Sequence, residues 1–457
     1  MSNNVKNGSL RAFGVVMVLA LGAHMPAQAD NAARLGNDLT PVGANPKASA
    51  DGTIPAWTGG LTKPPAGYRK GDYHPDPYGD DKVLFTINNQ NLAQYKSRLT
   101  PGQLELFKKY PDYTMPVYAT RRSCAVPPHV YEATKRNATQ ARLTEDGNNV
   151  ENAWVGYPFP VPPSAKAVYW NHNFHFQGYR SSAKTIGGTI YPSGSWSRVE
   201  RQDKRYVHYA DPQNIGRDLD NVQYEWMGIW TAPPRMNGSG FTAKNYINQV
   251  AQPRDGFVFR PETRKVARAP SSSFTHDAPL TSAEGLRYSN NMFGFSGAPD
   301  RYEWELKGKR EVYIPYNPYR ALQADVRPQD LLTARFLNRD YMRYELHRVW
   351  EVELTAKPNT NPTHPRRIMY FDEDSWIIVG AELYGHDGTL KRFQEAFVKN
   401  YYEVPTCIFD FDVMYDFESG RYNIDHLKLG NGPANMDDAK VRPRVFGSSA
   451  LRRAISR

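Results

Sequence analysis

The segment Tyr344–Leu354 reads YELHRVWEVEL and alternates with a period of two. Tyr344, Leu346, Trp350, Val352 and Leu354 share one phase, broken only by Arg348; Glu345, His347, Glu351 and Glu353 share the other. An oily phase beside a wet phase marks an antiparallel strand covered on one side. Outward from it come RRIMYF, SWIIVGAELYG and TLKRFQEAFV, separated by the turn-forming Asp372-Glu373-Asp374-Ser375 and His386-Asp387-Gly388. IFDFDVMYDF then sets Phe409, Phe411, Val413, Tyr415 and Phe417 against Asp410, Asp412 and Asp416. The meander from Tyr341 to Gly420 therefore predicts a mainly β protein built on a large curved antiparallel sheet. Its apolar side is either a covered core or a cradle for an apolar molecule.

Upstream, residues 30–80 are rich in Pro, Gly and Asn and read as an extended N-terminal arm. Residues 81–150 form a helical segment packed on the sheet, with helices over Asn88–Leu99, Pro101–Tyr110 and His129–Leu143. Thr100 is placed to cap the second, Pro101 to start it and Pro111 to stop it. Residues 151–438 read as the body of the antiparallel sheet. AVYWNHNFHFQGY, GSWSRVERQD, RYVHYADP and NVQYEWMGIWTAP alternate as strands, KNYINQVAQP reads as a short helix, and DGFVFRPETRKVARAP reads as a hairpin. Arg301–Tyr316 adds two short strands.

Residues 1–29 read as a signal peptide, with Lys6 and Arg11 ahead of the apolar run Val15–Leu21 and a small-x-small site at Ala27-Gln28-Ala29. No cysteine follows that site, so the expectation is an exported, unanchored periplasmic protein. The formal charge is +10, but two of those charges leave with Lys6 and Arg11. Six more lie in the acid-free tail 439–457, on Lys440, Arg442, Arg444, Arg452, Arg453 and Arg457. The body is thus nearly neutral, which argues against nucleic acid as a partner, and the tail reads as a disordered basic arm. Cys124 and Cys407 are the only cysteines, and an exported chain with an even pair favours a disulfide between them.

Catalytic and cofactor motifs are missing: there is no G-x-S-x-G, H-E-x-x-H, C-x-x-C or P-loop. The expectation is no catalytic residue, no metal and no cofactor. His172 and His175 come nearest to a metal pair, but on a strand residues three apart face opposite ways. Gly187-Gly188 is accounted for by a turn. Asp410 and Asp412 read as a solvated face rather than a glycosidase pair, and Asp372 and Asp374 as turn residues. Trp226 and Trp230 share a strand face, and Trp350 and Trp376 lie on neighbouring strands; such rings are either core or the floor of a ligand site. Strand phase gives Trp226, Trp230, Trp350, Val352, Trp376, Ile378 and Phe393 as the candidate ligand-binding set.

Several long phrases, among them MPVYATRRSCAVPPHVYEATKRNAT, NMFGFSGAPDRYEWELKGKREVYIPYNPYR and YFDEDSWIIVGAELYGHDGTLKRFQEA, carry a resemblance. The chain resembles a family of exported proteobacterial proteins of unknown function labelled outer-membrane lipoprotein-sorting proteins. That resemblance implies a LolA/LolB-like half-barrel with helices on its concave side. It further implies carriage of a lipid or other hydrophobic molecule through the periplasm, alongside a resistance-nodulation-division type transporter and an outer-membrane protein. It assigns no catalytic residue. Two other readings remain open from the residues: a carbohydrate-binding or carbohydrate-active protein, and a cargo-free accessory of a transporter complex.

Overall fold

A computed structural model describes residues 25–270, 277–430 and 432–456. The expected signal peptide therefore lies largely outside the described residues, which begin with helix α1, Met25–Arg34. The strands are β1 (Phe85–Ile87), β2 (Met115–Val117), the short pair β3 (Arg142–Leu143) and β4 (Val150–Glu151), β5 (Arg180–Ile190), β6 (Trp196–Val207), β7 (Val222–Ala232), β8 (Gly240–Tyr246) and β9 (Asp255–Arg260). They continue with β10 (Lys265–Arg268), β11 (Tyr302–Pro315), β12 (Tyr344–Ala356), β13 (Arg366–Asp372), β14 (Ile378–Tyr384), β15 (Leu390–Tyr401), β16 (Thr406–Asp416) and β17 (Tyr422–Leu427). All but β3 and β4 join one 15-stranded sheet, ordered from β1 and β2 through β12–β17 to β5–β10, with β11 added beside β12. Pairing is antiparallel except where β2 meets β12. The terminal strands β1 and β10 do not pair, so the sheet stays open.

The helices are α2 (Leu92–Tyr95), α3 (Pro101–Lys109), α4 (Pro128–Gln140), α5 (Ala165–Asn173), α6 (Pro328–Leu331) and α7 (Ser448–Ile455). Thr100 caps α3 in a reciprocal capping box with Gln103, worth about 1 kcal/mol. Gly102 is needed there because a Cβ would sit 2.2 Å from the Phe393 ring. Its N–H donates to Glu382 at 2.8 Å, fastening the start of α3 to β14.

Both sides of the sheet are covered. Ala381 pairs with Gln394 and Glu382 with Phe393, so Ala381 and Phe393 point to opposite sides. Ala381 belongs to the core beneath α4 and α5, with Val352, Trp376 and Ile378, whereas Phe393 belongs to the core beneath α3, with Phe411 and Val413. The expectation of a solvated phase is therefore corrected: Glu345, His347, Asp410 and Asp412 are all buried. Each has a counter-charge, as burial of an ion demands. Asp410 meets Lys428 at 2.8 Å, Asp412 meets Arg287, and Asp374, in the expected turn, meets buried Arg122 at 2.7 Å.

Several local readings change for physical reasons. AVYWNHN is helix α5 rather than a strand, capped by Ser164, whose side chain accepts from the Ala167 N–H. Seven of the nine residues of α5, Ala165–Asn173, are buried, so no polar phase distinguishes period 2 from period 3.6. Gly240–Tyr246 is a strand because β7 and β9 pair on either side of it. Gly187-Gly188 lies within β5, where a Cβ on Gly188 would meet the Ser197 carbonyl oxygen at 2.0 Å. The basic tail is ordered as far as Ser456: Val441, Phe446, Ala450 and Leu451 pack on Tyr206 and Met227. Cys124 and Cys407 form the expected disulfide, 283 residues apart in sequence.

Candidate functional site

Strand β7 divides its side chains between two environments. Met227 points to the side closed by α7, while Trp226 and Trp230 point to the other. There Phe241, opposite Gly228 on β8, lies with its ring centroid 4.6 Å from Trp226 and 5.5 Å from Trp230. Gly228 makes the space: a Cβ at that position would run into the Phe241 ring at 2.5 Å. Register links this side to the helix-covered one. Ala381, Gln394, Met414, Asn423 and Thr189 are opposed in successive strands. From Thr189 the same phase of β5 reaches Thr185, which opposes Arg201, and Arg201 opposes Trp230.

Where the cover of α4 and α5 ends, a cavity of about 640 Å3 remains. Trp226, Trp230, Phe241 and Val258 come from the sheet, and Leu280 and Met292 come from the segment crossing over it. That volume lies within the range of small-molecule sites, roughly 300–1,000 Å3. Trp226 also borders a smaller hollow of about 90 Å3, and a third of about 60 Å3 shares Arg205, Tyr224 and Phe293 with the second.

Charge enters through arginine. Arg201 is held by Asp203 at 2.7 Å and lies 4.0 Å from Asp425. Burial lowers its proton affinity, but these two carboxylates outweigh burial and raise it. Asp203 also accepts from Thr185 Oγ1 at 3.0 Å and from the Trp226 indole at 2.9 Å. Neither acid is free to act as a proton donor or nucleophile.

The seven residues selected by strand phase divide. Trp226 and Trp230 line the cavity. Val352, Trp376 and Ile378 are closed into the core beneath α4 and α5, and Phe393 into the core beneath α3. Trp350 is half-buried and stacks on Trp376, centroids 6.2 Å apart, with Lys309 Nζ 4.4 Å from its ring. Phase says which side of a strand a residue occupies, but not whether that side is covered. The arginines of the cavity were missed, although Arg201, Asp203 and Arg205 recur at a period of two in SRVERQDKRY and so share one side.

His172 and His175 lie in α5 and at its end, with rings stacked 5.2 Å apart. Burial pushes both below the ordinary imidazole range, His175 to about 4. His172 Nδ1 accepts from the Ile378 N–H at 3.2 Å, which gives that ring a structural role. Among the described residues, three potential metal ligands converge at His347, Asp372 and Asp374. They pair with one another and with their neighbours: Arg122 clasps Asp374 at 2.7 and 2.9 Å, Asp372 Oδ2 accepts from Tyr316 at 2.9 Å and Ser375 Oγ at 2.6 Å, and His347 Nδ1 lies 3.2 Å from the other Asp372 oxygen. This is an ion-pair network. Among the described residues no helix is long and apolar enough to cross a membrane.

The chain is 40% identical over 412 residues to the uncharacterized protein PA3922 of Pseudomonas aeruginosa, with 90% of each chain covered. Among solved structures, a domain from Vibrio parahaemolyticus named for outer membrane lipoprotein sorting has a TM-score of 0.41 at 12% identity, covering 61% of this chain and 92% of its own. A DUF1329 family protein from Desulfovibrio piger gives 0.41 at 13% identity, with 60% and 92% covered. The LolA superfamily protein NE2245 from Nitrosomonas europaea gives 0.37 at 13% identity, with 63% and 98% covered. Residues 86–452 match the family described as "Protein of unknown function (DUF1329)", and with a relative at that identity over most of its length the chain belongs to this family.

Proposed function

We propose that this protein is a periplasmic, non-enzymatic carrier that holds a lipid or other apolar molecule in the cavity beneath residues 278–292 and works with an envelope transporter. One observation carries the reading: a ligand-sized hollow with Trp226, Trp230 and Phe241 as its floor, on a side that is elsewhere closed by helices. The leader read over residues 1–29 supports export, and the resemblance read from the sequence motifs supports the transporter. Removing apolar surface from water contributes roughly 25 cal/mol per Å2, so an alkyl chain on this floor needs no specific polar contact to bind. A glycosidase would need two carboxylates free to act, whereas Asp203 and Asp425 are both engaged by Arg201.

The test is native mass spectrometry of protein drawn gently from its own periplasm, followed by solvent extraction of any bound organic molecule. The expected result is a bound species of lipid character, released on extraction. An empty protein that also fails to bind fluorescent fatty acids and sterols would overturn the proposal.

A further inference from the structure

Arg254 and Arg205 meet at Tyr224, which lines the two smaller hollows, and Trp226 links the first of these to the large cavity. Arg254 is 5% exposed and borders the large cavity. Its Nε donates to Asn245 Oδ1 at 2.7 Å, and its Nη2 donates to Ser296 Oγ at 2.7 Å and Tyr224 Oη at 3.4 Å. These partners are all neutral, and Nη1 makes no hydrogen bond to the described residues. Arg205 stacks over the Tyr224 ring at 4.1 Å and donates Nη1 to Gln177 Oε1 at 2.5 Å. Its Nε is buried without an acceptor among the described residues.

No carboxylate of the described residues lies within ion-pairing distance, 4.0 Å, of either guanidinium. The nearby acids are engaged elsewhere: Asp203 and Asp425 with Arg201, Asp410 with Lys428, and Asp255 with Arg268. Burial pushes Arg205 below the usual guanidinium range, and the charge of Arg254 pushes the same way. A buried cation without a counter-charge is costly, and one donor left unpaired adds to that cost. A buried guanidinium at the cavity wall and a half-buried one in the hollow beside it are what an anionic ligand would relieve.

Resting on the carrier reading above, we propose that the ligand is an anionic amphiphile. Its carboxylate or phosphate is received between Arg205 and Arg254 at Tyr224, and its apolar portion lies along Trp226, Trp230 and Phe241. Arginine suits the task because its planar fork donates two parallel hydrogen bonds to either oxyanion.

The experiment uses the mature chain stripped of bound lipid and titrated with three fluorescent probes of equal chain length: a fatty acid, its methyl ester and a lysophosphatidate. The wild type should bind at least one anionic probe about tenfold or more tighter than the ester, the effect of one charge-assisted contact. The favoured anion identifies a free acid or a phospholipid-derived headgroup as the source. R205Q and R254Q should each shrink that preference while retaining ester binding, and R254K should restore part of it. Ester binding reports that each variant is folded, and R205Q leaves the Asn245 and Ser296 contacts of Arg254 in place. Equal binding of all three probes by the wild type, or an undiminished preference in both glutamine variants, overturns the anionic ligand and leaves the carrier intact. Failure of every probe to bind overturns the carrier as well.

Discussion

His347 Nδ1 lies 3.2 Å from a carboxylate oxygen of Asp372, and both side chains are buried. Nε2 of the same ring lies 3.4 Å from buried Glu345. Burial alone would depress the imidazolium, but hydrogen bonds and charge from Asp372 and Glu345 outweigh it and hold His347 at about 9. The same contacts push both carboxylates below their ordinary values against burial. A folded-state value raised from about 6.5 contributes stability that is complete below pH 6.5 and lost as pH rises through 9. Chemical denaturation should therefore show stability falling between pH 6.5 and 9, by on the order of a few kcal/mol. His347→Gln should lower stability at pH 6 and flatten that slope; an unchanged slope would assign it to other groups.

Glu382 contributes a fall of the same sign at lower pH. Burial raises its carboxyl to about 7, although the Gly102 N–H and the hydroxyls of Tyr384 and Tyr370 favour the charged form. A carboxyl raised in the folded state loses stability as pH rises from its unfolded value through the folded one. Glu382→Gln keeps an acceptor for Gly102 and removes the ionisation. Its Tm should match the wild type at pH 4 and exceed it at pH 8. A lower Tm at both would show that the charge itself holds α3 to the sheet.

The disulfide ties Cys124, in the segment before α4, to Cys407 in β16. Closing a loop of 283 residues restricts the unfolded chain, and losing such a bond typically costs 2–5 kcal/mol. Dithiothreitol should lower the Tm of the wild type and leave a Cys124→Ser/Cys407→Ser variant unchanged. Equal shifts in both would place the effect outside this bond.

How much of this was legible in the sequence depended on polarity contrast. The meander from Tyr344 to Asp416 shows as alternation, and α3 shows as a cap, a proline start and a proline stop. α5 did not show, because nearly every residue in AVYWNHN is buried. β5, with RSSAKTIGGTI, did not show either, since its glycines fit close crossings rather than strand propensity. The candidate site was half legible. Trp226 and Trp230 stood out as large rings in one phase, but Arg205 and Arg254 belong to different strand neighbourhoods and meet only through Tyr224.

The tail is a test of composition against packing. Leu451 is fully buried against β8 and β9 despite its basic neighbours Arg452 and Arg453. Leu451→Ala should cost about 2–5 kcal/mol in urea denaturation, the usual range for a buried leucine. No measurable change would mean that α7 is not docked in solution.

Two tryptophans chosen by the same sequence argument should part company on mutation. Trp376 is 0% exposed and donates its indole N–H to the Val42 carbonyl at 3.0 Å, so it joins the N-terminal arm to the core. Trp376→Ala leaves both a cavity and an unpaired carbonyl, and should cost about 3–5 kcal/mol. Trp230 is half-buried at the cavity wall, and its indole nitrogen has no acceptor among the described residues. Trp230→Ala should therefore cost less than about 1.5 kcal/mol of stability while weakening a fluorescent fatty acid severalfold, because the lost ring is wall rather than keystone. Equal destabilisation by the two, with ligand affinity unchanged in Trp230→Ala, would place Trp230 in the core and remove the floor from the proposed site.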